Sequence, residues 1–251
     1  MLTSLYIIRR YVRSWCLLVF CAMLPLHFSV AEEVEIIGYE IPMLMDSPDK
    51  GLLVDLMKHI GARANMQLVF TLVQKDQIPQ VIENQMASIT RDERDLGFPG
   101  YPSKPIFERK TFAFYKKNMP RIMTIYNLRG REVGMSFGYD ADADFMGLLV
   151  KNKIKVRKDK TESTMLRHLH KNRVEALIME EYAGLVAIKI TTFDDVTYEA
   201  RRPLWKKFDH ILFPKTETGK GHAARFNAAL KSMYRDGSYK AFIAKAYDAQ
   251  R

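Results

Sequence analysis

The chain is predicted to adopt an α/β fold with a largely parallel sheet, and three observations support this class. Segments with strand and helix periodicity alternate along most of the sequence, which is the pattern of repeated strand–helix units. Residues 174–179 form a nearly continuous apolar run, as expected for a strand that is buried on both faces. No internal repeat, low-complexity stretch or Gly/Ser-rich linker interrupts this alternation.

The elements of the first half follow from the spacing of apolar residues. Residues 34–39 predict a short strand that runs into a turn. Residues 51–64 place apolar side chains at helical spacing, and residues 66–73 alternate as a strand. Residues 76–85 predict a second, shorter helix.

The second half repeats the alternation and closes with two helices. Three strands and three helices alternate there, beginning with a strand, at residues 132–137, 142–150, 154–156, 162–171, 174–179 and 181–189. Two further segments, 111–117 and 210–215, are predicted to be extended. The closing helices are predicted at residues 225–234 and 238–247, with Asp236 and Gly237 between them.

The first 31 residues have the pattern of a cleavable secretory signal peptide. They contain three arginines and no acidic residue, an apolar run at residues 15–26, and the small-residue exit Ser29-Val30-Ala31 ahead of Glu32. The alternative is a membrane anchor, but the apolar run is shorter than the ~20 residues that a spanning helix needs. Residues 1–31 are therefore expected to direct export of the protein and to be removed.

Removal of this segment changes the composition and excludes several classes of chemistry. The chain has 39 basic and 29 acidic residues, a net charge of +10, and cleavage removes three basic residues, which leaves 36 − 29 = +7. Both cysteines, Cys16 and Cys21, lie in the removed segment, so the mature chain is expected to have no disulfide, cysteine nucleophile or thiolate metal site. Basic residues are interspersed with acidic ones, which argues against a nucleic-acid partner.

Five segments of the mature chain have motif-like residues in a fixed order. They are residues 51–56 (GLLVDL), 90–94 (TRDER), 127–134 (NLRGREVG), 172–176 (NRVEA), and a tail containing 226–230 (FNAAL) and 236–239 (DGSY). In this order they resemble the motifs of the family 3 extracellular solute-binding proteins, the amino-acid-binding type of periplasmic receptor. Among the departures from these motifs, residues 90–94 contain one residue more than the family motif, and Phe226 replaces a leucine.

The resemblance implies a type II periplasmic-binding-protein fold with two α/β lobes and a ligand cleft between them. Lobe 1 would be discontinuous, with residues 32–114 and 212–251, and lobe 2 would contain residues 115–211. The extended segments fall where the two hinge strands of such a fold run. A ligand closes a cleft of this kind by contacting both lobes. A monomer without cofactor is expected.

A zwitterionic ligand buried in such a cleft requires one fixed cation and one fixed anion. The guanidinium group of arginine suits a carboxylate, and the resemblance implies Arg94 for this role, with Arg91 as the alternative because of the extra residue. The resemblance implies Glu180 as the anion, and its place after an apolar strand is also where open α/β sheets bind ligands. The competing interpretation is that Glu180 only begins the following helix.

Three further residues are candidate contacts for the ligand. Gly138 and Tyr139 lie in the loop that corresponds to a ligand-binding turn of the family, and Tyr39 is either an aromatic wall of the cleft or a structural residue. Asp140, Asp142 and Asp144 lack the glycine and glutamate of a calcium loop, so no metal site is predicted. Residues 82–89 are shorter than the matching strand of the family, so the identity of the ligand cannot be transferred from it.

Three functions are compatible with these patterns. The first is a periplasmic solute-binding protein that captures an amino acid or related small acid for the permease of an ABC transporter. The second is a sensor of the same fold that contacts a membrane receptor. The third is a dehydratase-like enzyme on the same cleft, which is disfavoured because the sequence contains no nucleophile–base grouping, metal-ligand spacing or phosphate loop. No enzymatic activity is predicted.

Overall fold

The computed structural model describes residues 31–74, 77–78, 87–90 (backbone only), 99–137, 139 and 143–250, and all of its elements fall within the unit Glu32–Arg251. The described strands are β1 (Glu32–Gly38), β2 (Met66–Leu72), β3 (Ala87–Thr90), β4 (Gly100–Pro102), β5 (Phe107–Lys116), β6 (Glu132–Ser136), β7 (Lys155–Asp159), β8 (Ala176–Glu180), β9 (Val196–Tyr198) and β10 (Trp205–Pro214). The described α-helices are α1 (Leu52–Arg63), α2 (Ala143–Lys151), α3 (Glu162–His170), α4 (Glu181–Thr191), α5 (Glu217–Asp236) and α6 (Ser238–Asp248), and Ile125–Leu128 form a 3₁₀ helix.

The described strands form one mixed sheet in the order β2-β1-β3-β10-β5-β8-β6-β7, with β4 paired to β10 and β9 paired to β5. The pairs β1–β2, β1–β3, β6–β7 and β6–β8 are parallel. Every described pairing of β5 and β10 is antiparallel. The strands are therefore parallel toward both ends of the sheet and antiparallel in its centre. The alternation of strands and helices in the sequence predicts a larger share of parallel pairs than the structure has.

Strand β10 joins the two parts of this sheet. Its first half, from Trp205 to Asp209, pairs with β5, and its second half pairs with β3 and β4 from His210 onward. A single continuous strand therefore pairs with β3 of one parallel group and with β5, which in turn pairs with β8 of the other group, and its midpoint lies at Asp209 and His210.

The buried apolar residues of the described chain form three clusters. One contains the apolar face of α1, with Leu53, Leu56 and Ile60 at helical spacing, and also side chains of β1, β2 and α5. The second packs around α2 and β6, and the third lies between β8, α3 and α4. Burial of these helix faces, rather than helix propensity, provides most of the stabilisation of helices of this length. None of the helices in the described part of the chain combines the length and hydropathy that a bilayer crossing requires.

The fold differs from the sequence expectations mainly in element length. The predicted extended segments 111–117 and 210–215 belong to strands that begin earlier, at Phe107 and Trp205. The helix expected at 225–234 begins at Glu217. Strand β3 is present, although residues 82–89 are fewer than the matching segment of the family, and it pairs with β1 over Ala87 and Ser88. Most of the helix expected at 76–85, and the predicted signal peptide, lie outside the described residues.

Helix α5 was predicted too short because its first turn is rich in glycine. Thr216 caps the helix by accepting a hydrogen bond from the Gly219 backbone amide at 3.0 Å. A Cβ atom at Gly219 would overlap the carbonyl oxygen of Pro214, so glycine allows the helix to begin directly after β10. Glycine disfavours helix in a propensity count, whereas the close approach to Pro214 requires it here.

Candidate functional site

Polar side chains come together at the carboxyl ends of two parallel strands in the group formed by β6, β7 and β8. Strand β8 ends at Glu180, its parallel neighbour β6 ends at Ser136, and the chain after β6 reaches Tyr139. The Tyr139 hydroxyl lies 2.7 Å from the Thr111 hydroxyl of β5. Open α/β sheets bind ligands at the carboxyl ends of their strands, particularly where the strand order reverses.

Two cations lie beside this edge on neighbouring antiparallel strands. Arg109 of β5 is directly opposite Lys207 of β10 in the register, and their side chains are only 1% and 7% exposed. Like charges directly opposite each other destabilise a sheet, and buried charges require compensation. This pair therefore needs anions close to it.

Glu180 and Asp209 provide this compensation. One carboxylate oxygen of Glu180 lies 2.8 Å from Lys207 Nζ, and the other lies 3.5 Å from Arg109 Nη1. Asp209, which is fully buried, places Oδ2 at 3.3 Å from Arg109 Nε. We call these four residues the central charge cluster. The formal charges of these four residues sum to zero.

Tyr139, in the segment that follows β6, packs against the central charge cluster. Lys207 Nζ lies 5.3 Å from the centroid of the Tyr139 ring, within the range of a cation–π interaction. The tyrosine is buried, and its ring also contacts Phe145 of α2 edge-on. The Tyr139 hydroxyl thus faces Thr111 while its ring faces the Lys207 ammonium.

The predicted site residues have different positions in the structure. Glu180 belongs to the central charge cluster, and although it directly precedes α4 it makes no side-chain capping hydrogen bond. Tyr139 lies beside it, whereas Tyr39 is buried within the first apolar cluster. Their contact with a ligand stays a prediction.

The remaining predicted residues, Arg91, Arg94 and Gly138, lie outside the described residues. Thr90, the last described residue before Arg91, pairs with His210 at the midpoint of β10. The choice between Arg91 and Arg94 therefore stays open.

Sequence reasoning missed Arg109, Thr111, Lys207 and Asp209. A signal for them exists, because side chains two apart on a strand share a face. On β5, Arg109 and Thr111 lie on the same sheet face as buried Phe107. On β10, Lys207 and Asp209 lie on the same face as buried Ile211. Phe208, on the opposite face, is 40% exposed. A strand with charges on the buried face and an aromatic ring on the exposed face would have indicated a buried polar site.

A separate open pocket of about 530 Å³ lies between β5, the start of α4 and the terminal helices. Its lining includes Tyr239 and Tyr247 of α6, and burial raises the pKa of both phenols. The Tyr239 hydroxyl donates a hydrogen bond to the Ile106 carbonyl at 2.8 Å, which attaches α6 to the start of β5. Among the described residues, no group of three metal-ligating side chains is close enough to hold a metal ion.

No protein-family model and no curated protein matches the chain. Many solved structures do match it. An ancestral arginine-binding protein bound to arginine has a TM-score of 0.60 and 20% identity, and the match covers 87% of this chain and 99% of that one. An ancestral cationic amino acid solute-binding protein matches with a TM-score of 0.66 and 15% identity over 86% and 95% of the two chains. A periplasmic binding protein of an arginine transport system from Legionella pneumophila matches with a TM-score of 0.58 and 17% identity over 86% and 99%.

These matches define the class of fold. The chain has the type II periplasmic-binding-protein fold, which confirms the fold expected from the sequence motifs. Its structural neighbours include an arginine-binding protein and substrate-binding proteins of amino acid ABC transporters. At these identities the likeness establishes the fold and leaves the ligand of this chain open.

Proposed function

We propose that this protein is a periplasmic solute-binding protein that captures a small polar solute between two lobes and delivers it to a membrane transporter. The solute is an amino acid or a related small acid. The observation that carries the proposal is the extent of the fold match, which covers 86–87% of this chain and at least 95% of the matched proteins. A match of this extent includes both groups of strands and the antiparallel strands between them.

The position of the central charge cluster supports a ligand site between the two lobes. We propose lobe 1 as residues 32–114 with 212–251 and lobe 2 as residues 115–211. Arg109 and Asp209 lie on β5 and β10, close to the proposed boundaries, and Glu180 ends a strand of lobe 2. A ligand bound there would contact groups from both lobes, which is the requirement for ligand-induced closure.

The proposed partner is the permease of an ABC transporter, with a membrane receptor as the alternative. One matched structure is named as a periplasmic binding protein of a transport system, which supports the same compartment for this chain. Cross-linking in membranes distinguishes the partners, because recovery of permease subunits supports transport and recovery of a receptor alone supports sensing. The protein is proposed to act as a monomer after cleavage of residues 1–31.

Thermal-shift screening tests the ligand-binding function. The full-length gene is expressed, the protein is recovered from the periplasmic fraction, and Edman sequencing is expected to begin at Glu32. A panel of amino acids and small carboxylic acids is then added, and a true ligand raises Tm progressively with its concentration. At a ligand concentration of a hundred times Kd, the free energy of unfolding is expected to rise by about 2.7 kcal/mol. Absence of a shift with every compound would refute the proposal.

Two arginine variants identify the predicted carboxylate contact. Either Arg91→Ala or Arg94→Ala is expected to abolish the ligand-dependent shift, while the other retains it. Arg157→Ala is the matched control. Arg157 lies on the edge strand β7, away from the carboxyl ends of β6 and β8, where it is half-exposed and pairs with Glu132 of β6. Retention of the full shift in both Arg91 and Arg94 variants would remove both residues from the site.

A further inference from the structure

The carboxylate that would bind a ligand ammonium already has an ammonium partner within the protein. Lys207 Nζ lies 2.8 Å from Glu180, and their side chains are 7% and 12% exposed. The second oxygen of Glu180 faces Arg109 at 3.5 Å. Glu180 therefore contacts a cation of the chain through each of its two oxygens.

The other carboxylate of the cluster is not accessible to a ligand. Asp209 is fully buried, and its Oδ2 contacts Arg109 Nε at 3.3 Å. A ligand ammonium at this edge would consequently approach Arg109 and Lys207 without gaining a carboxylate of the cluster. Like charges at short range in a poorly solvated site repel strongly, and an unpaired buried charge is costly.

The neutral groups beside the cluster suit an acid. The Tyr139 hydroxyl lies at the same end of the strands, where it is 2.7 Å from the hydroxyl of the fully buried Thr111, and a phenol can hydrogen-bond to a carboxylate oxygen or to a ligand hydroxyl. The ring of Tyr139 faces Lys207, so the aromatic face that could receive a ligand cation is already opposite a cation of the protein.

We infer that the ligand is a small carboxylic acid that lacks an α-ammonium group, because the Lys207 ammonium takes the place of that group against Glu180. This inference rests on the proposed function, since it specifies the class of solute that the same site binds. It makes Lys207 a specificity-determining residue, with Arg109 supporting it by fixing the second oxygen of Glu180.

Matched pairs of compounds test this inference on the unaltered protein. Each pair is an amino acid and the same molecule without its amino group: glutamate and glutarate, aspartate and succinate, alanine and propionate, arginine and δ-guanidinovalerate. Isothermal calorimetry gives Kd for both members, and the deaminated acid of the bound pair is expected to bind at least about tenfold more tightly, since a hydrogen-bonding or charge mismatch has effects of this size or larger.

Two lysine variants give a second, independent measurement. Lys207→Met keeps the length of the side chain and removes the ammonium, so Glu180 becomes available and the preference is expected to fall by at least about tenfold or to reverse. Lys206→Met is the control: Lys206 is adjacent on β10, half-exposed on the other face, and pairs with Glu108. It is expected to keep the preference of the unaltered protein.

The outcomes separate this inference from the proposed function. If the amino acids bind as tightly as the deaminated acids, or more tightly, the inference is wrong and the proposed function stands. If Lys207→Met folds and keeps the original preference, Lys207 does not determine specificity and the inference is also wrong. If no compound of either kind binds, the proposed function fails and the inference fails with it. Should Lys207→Met not fold, the comparison of paired compounds decides alone.

Discussion

The central charge cluster shows how individual residues stabilise the centre of the sheet. Arg109 and Lys207 are directly opposite and repel each other, so the anions between them are structural requirements whatever the ligand. Removing one member of a buried ion pair costs more than the pair contributes, because the partner charge is left buried and uncompensated. Exposed ion pairs lack this penalty.

Asp209→Asn is therefore expected to destabilise the protein by about 3 kcal/mol, because Arg109 loses the charge that faces its Nε at 3.3 Å. Urea unfolding monitored by fluorescence measures the change. Asp49→Asn is the control: its carboxylate is closer to its partner, 2.7 Å from Lys58 Nζ, but 90% exposed, and a loss below about 1 kcal/mol is expected. Equal losses in the two variants would show that burial does not govern the contribution of these pairs.

The sequence predicts some members of this site and not others, for a physical reason. Glu180 and Tyr139 follow apolar strands, and the carboxyl end of a strand is a position that can be read along the chain. Arg109 and Lys207 acquire their roles only through the pairing of β5 with β10, which are about 90 residues apart. Period-two spacing assigns each of them to a face, but long-range pairing decides which face is buried.

At the scale of elements, helix α4 illustrates how packing overrides helix propensity. It begins directly after Glu180, and its Gly184 lies against the ring of Phe114 on β5. Phe114 and Arg109 are five residues apart on β5, so their side chains point to opposite faces of the sheet. Helix α4 therefore packs on the face opposite the charge cluster. The close approach of α4 to β5 thus fixes the position of the helix that follows Glu180.

Two helical glycines should consequently respond to alanine with opposite sign. Gly184→Ala is expected to destabilise the protein by about 1–3 kcal/mol, because the new Cβ overlaps the Phe114 ring. Gly147→Ala in α2 has open space and is expected to stabilise by about 0.5–1 kcal/mol through helix propensity. Thermal and urea unfolding measure both effects. Stabilisation by Gly184→Ala would mean that α4 does not pack closely on β5.

Element prediction succeeded where the signal is local and failed where neighbours decide. The helix at 51–64 was predicted within one residue of the observed Leu52–Arg63, because its apolar face repeats at helical spacing. The antiparallel pairing in the centre of the sheet leaves no such local pattern, since strand–helix alternation indicates parallel neighbours. Strand β9 was missed because three residues give no measurable period.

At the scale of the whole molecule, the type II fold could be recognised from ordered motifs, whereas the electrostatic character of its centre could not. Strand β10 pairs with β3 of one parallel group and with β5, which pairs with β8 of the other, so the cluster on β5, β8 and β10 belongs to the junction between the groups. The match to solved structures leaves the ligand open, and the buried residues around Glu180 supply the chemical argument that motifs cannot. The inferred specificity depends on which charges the fold already pairs.

The acid stability of the molecule provides a prediction at this same scale. Glu199 accepts hydrogen bonds from Arg121 and from the Tyr115 hydroxyl of β5, which lower the pKa of Glu199 from 4.5 to about 2. Hydrogen bonds that Asp236 accepts from Ser238 and Arg63 lower the pKa of Asp236 to about 2 in the same way. A carboxyl group with a lowered pKa in the folded state stabilises the protein above its ordinary pKa, and this contribution is lost as pH falls toward the folded-state value.

Glu199→Gln should therefore be less stable than the unaltered protein near neutral pH, with a difference that narrows as pH falls from 4.5 to about 2. Urea unfolding at several pH values across this window measures the difference. Glu217→Gln, at an 89% exposed carboxylate 3.9 Å from Lys220, is expected to follow the unaltered protein throughout. Parallel stability curves for Glu199→Gln and the unaltered protein would show that the hydrogen bonds of Glu199 do not contribute to acid sensitivity. A narrowing difference would instead assign part of the acid unfolding to the contact between β5 and the residue that follows β9, because Tyr115 and Glu199 join these segments.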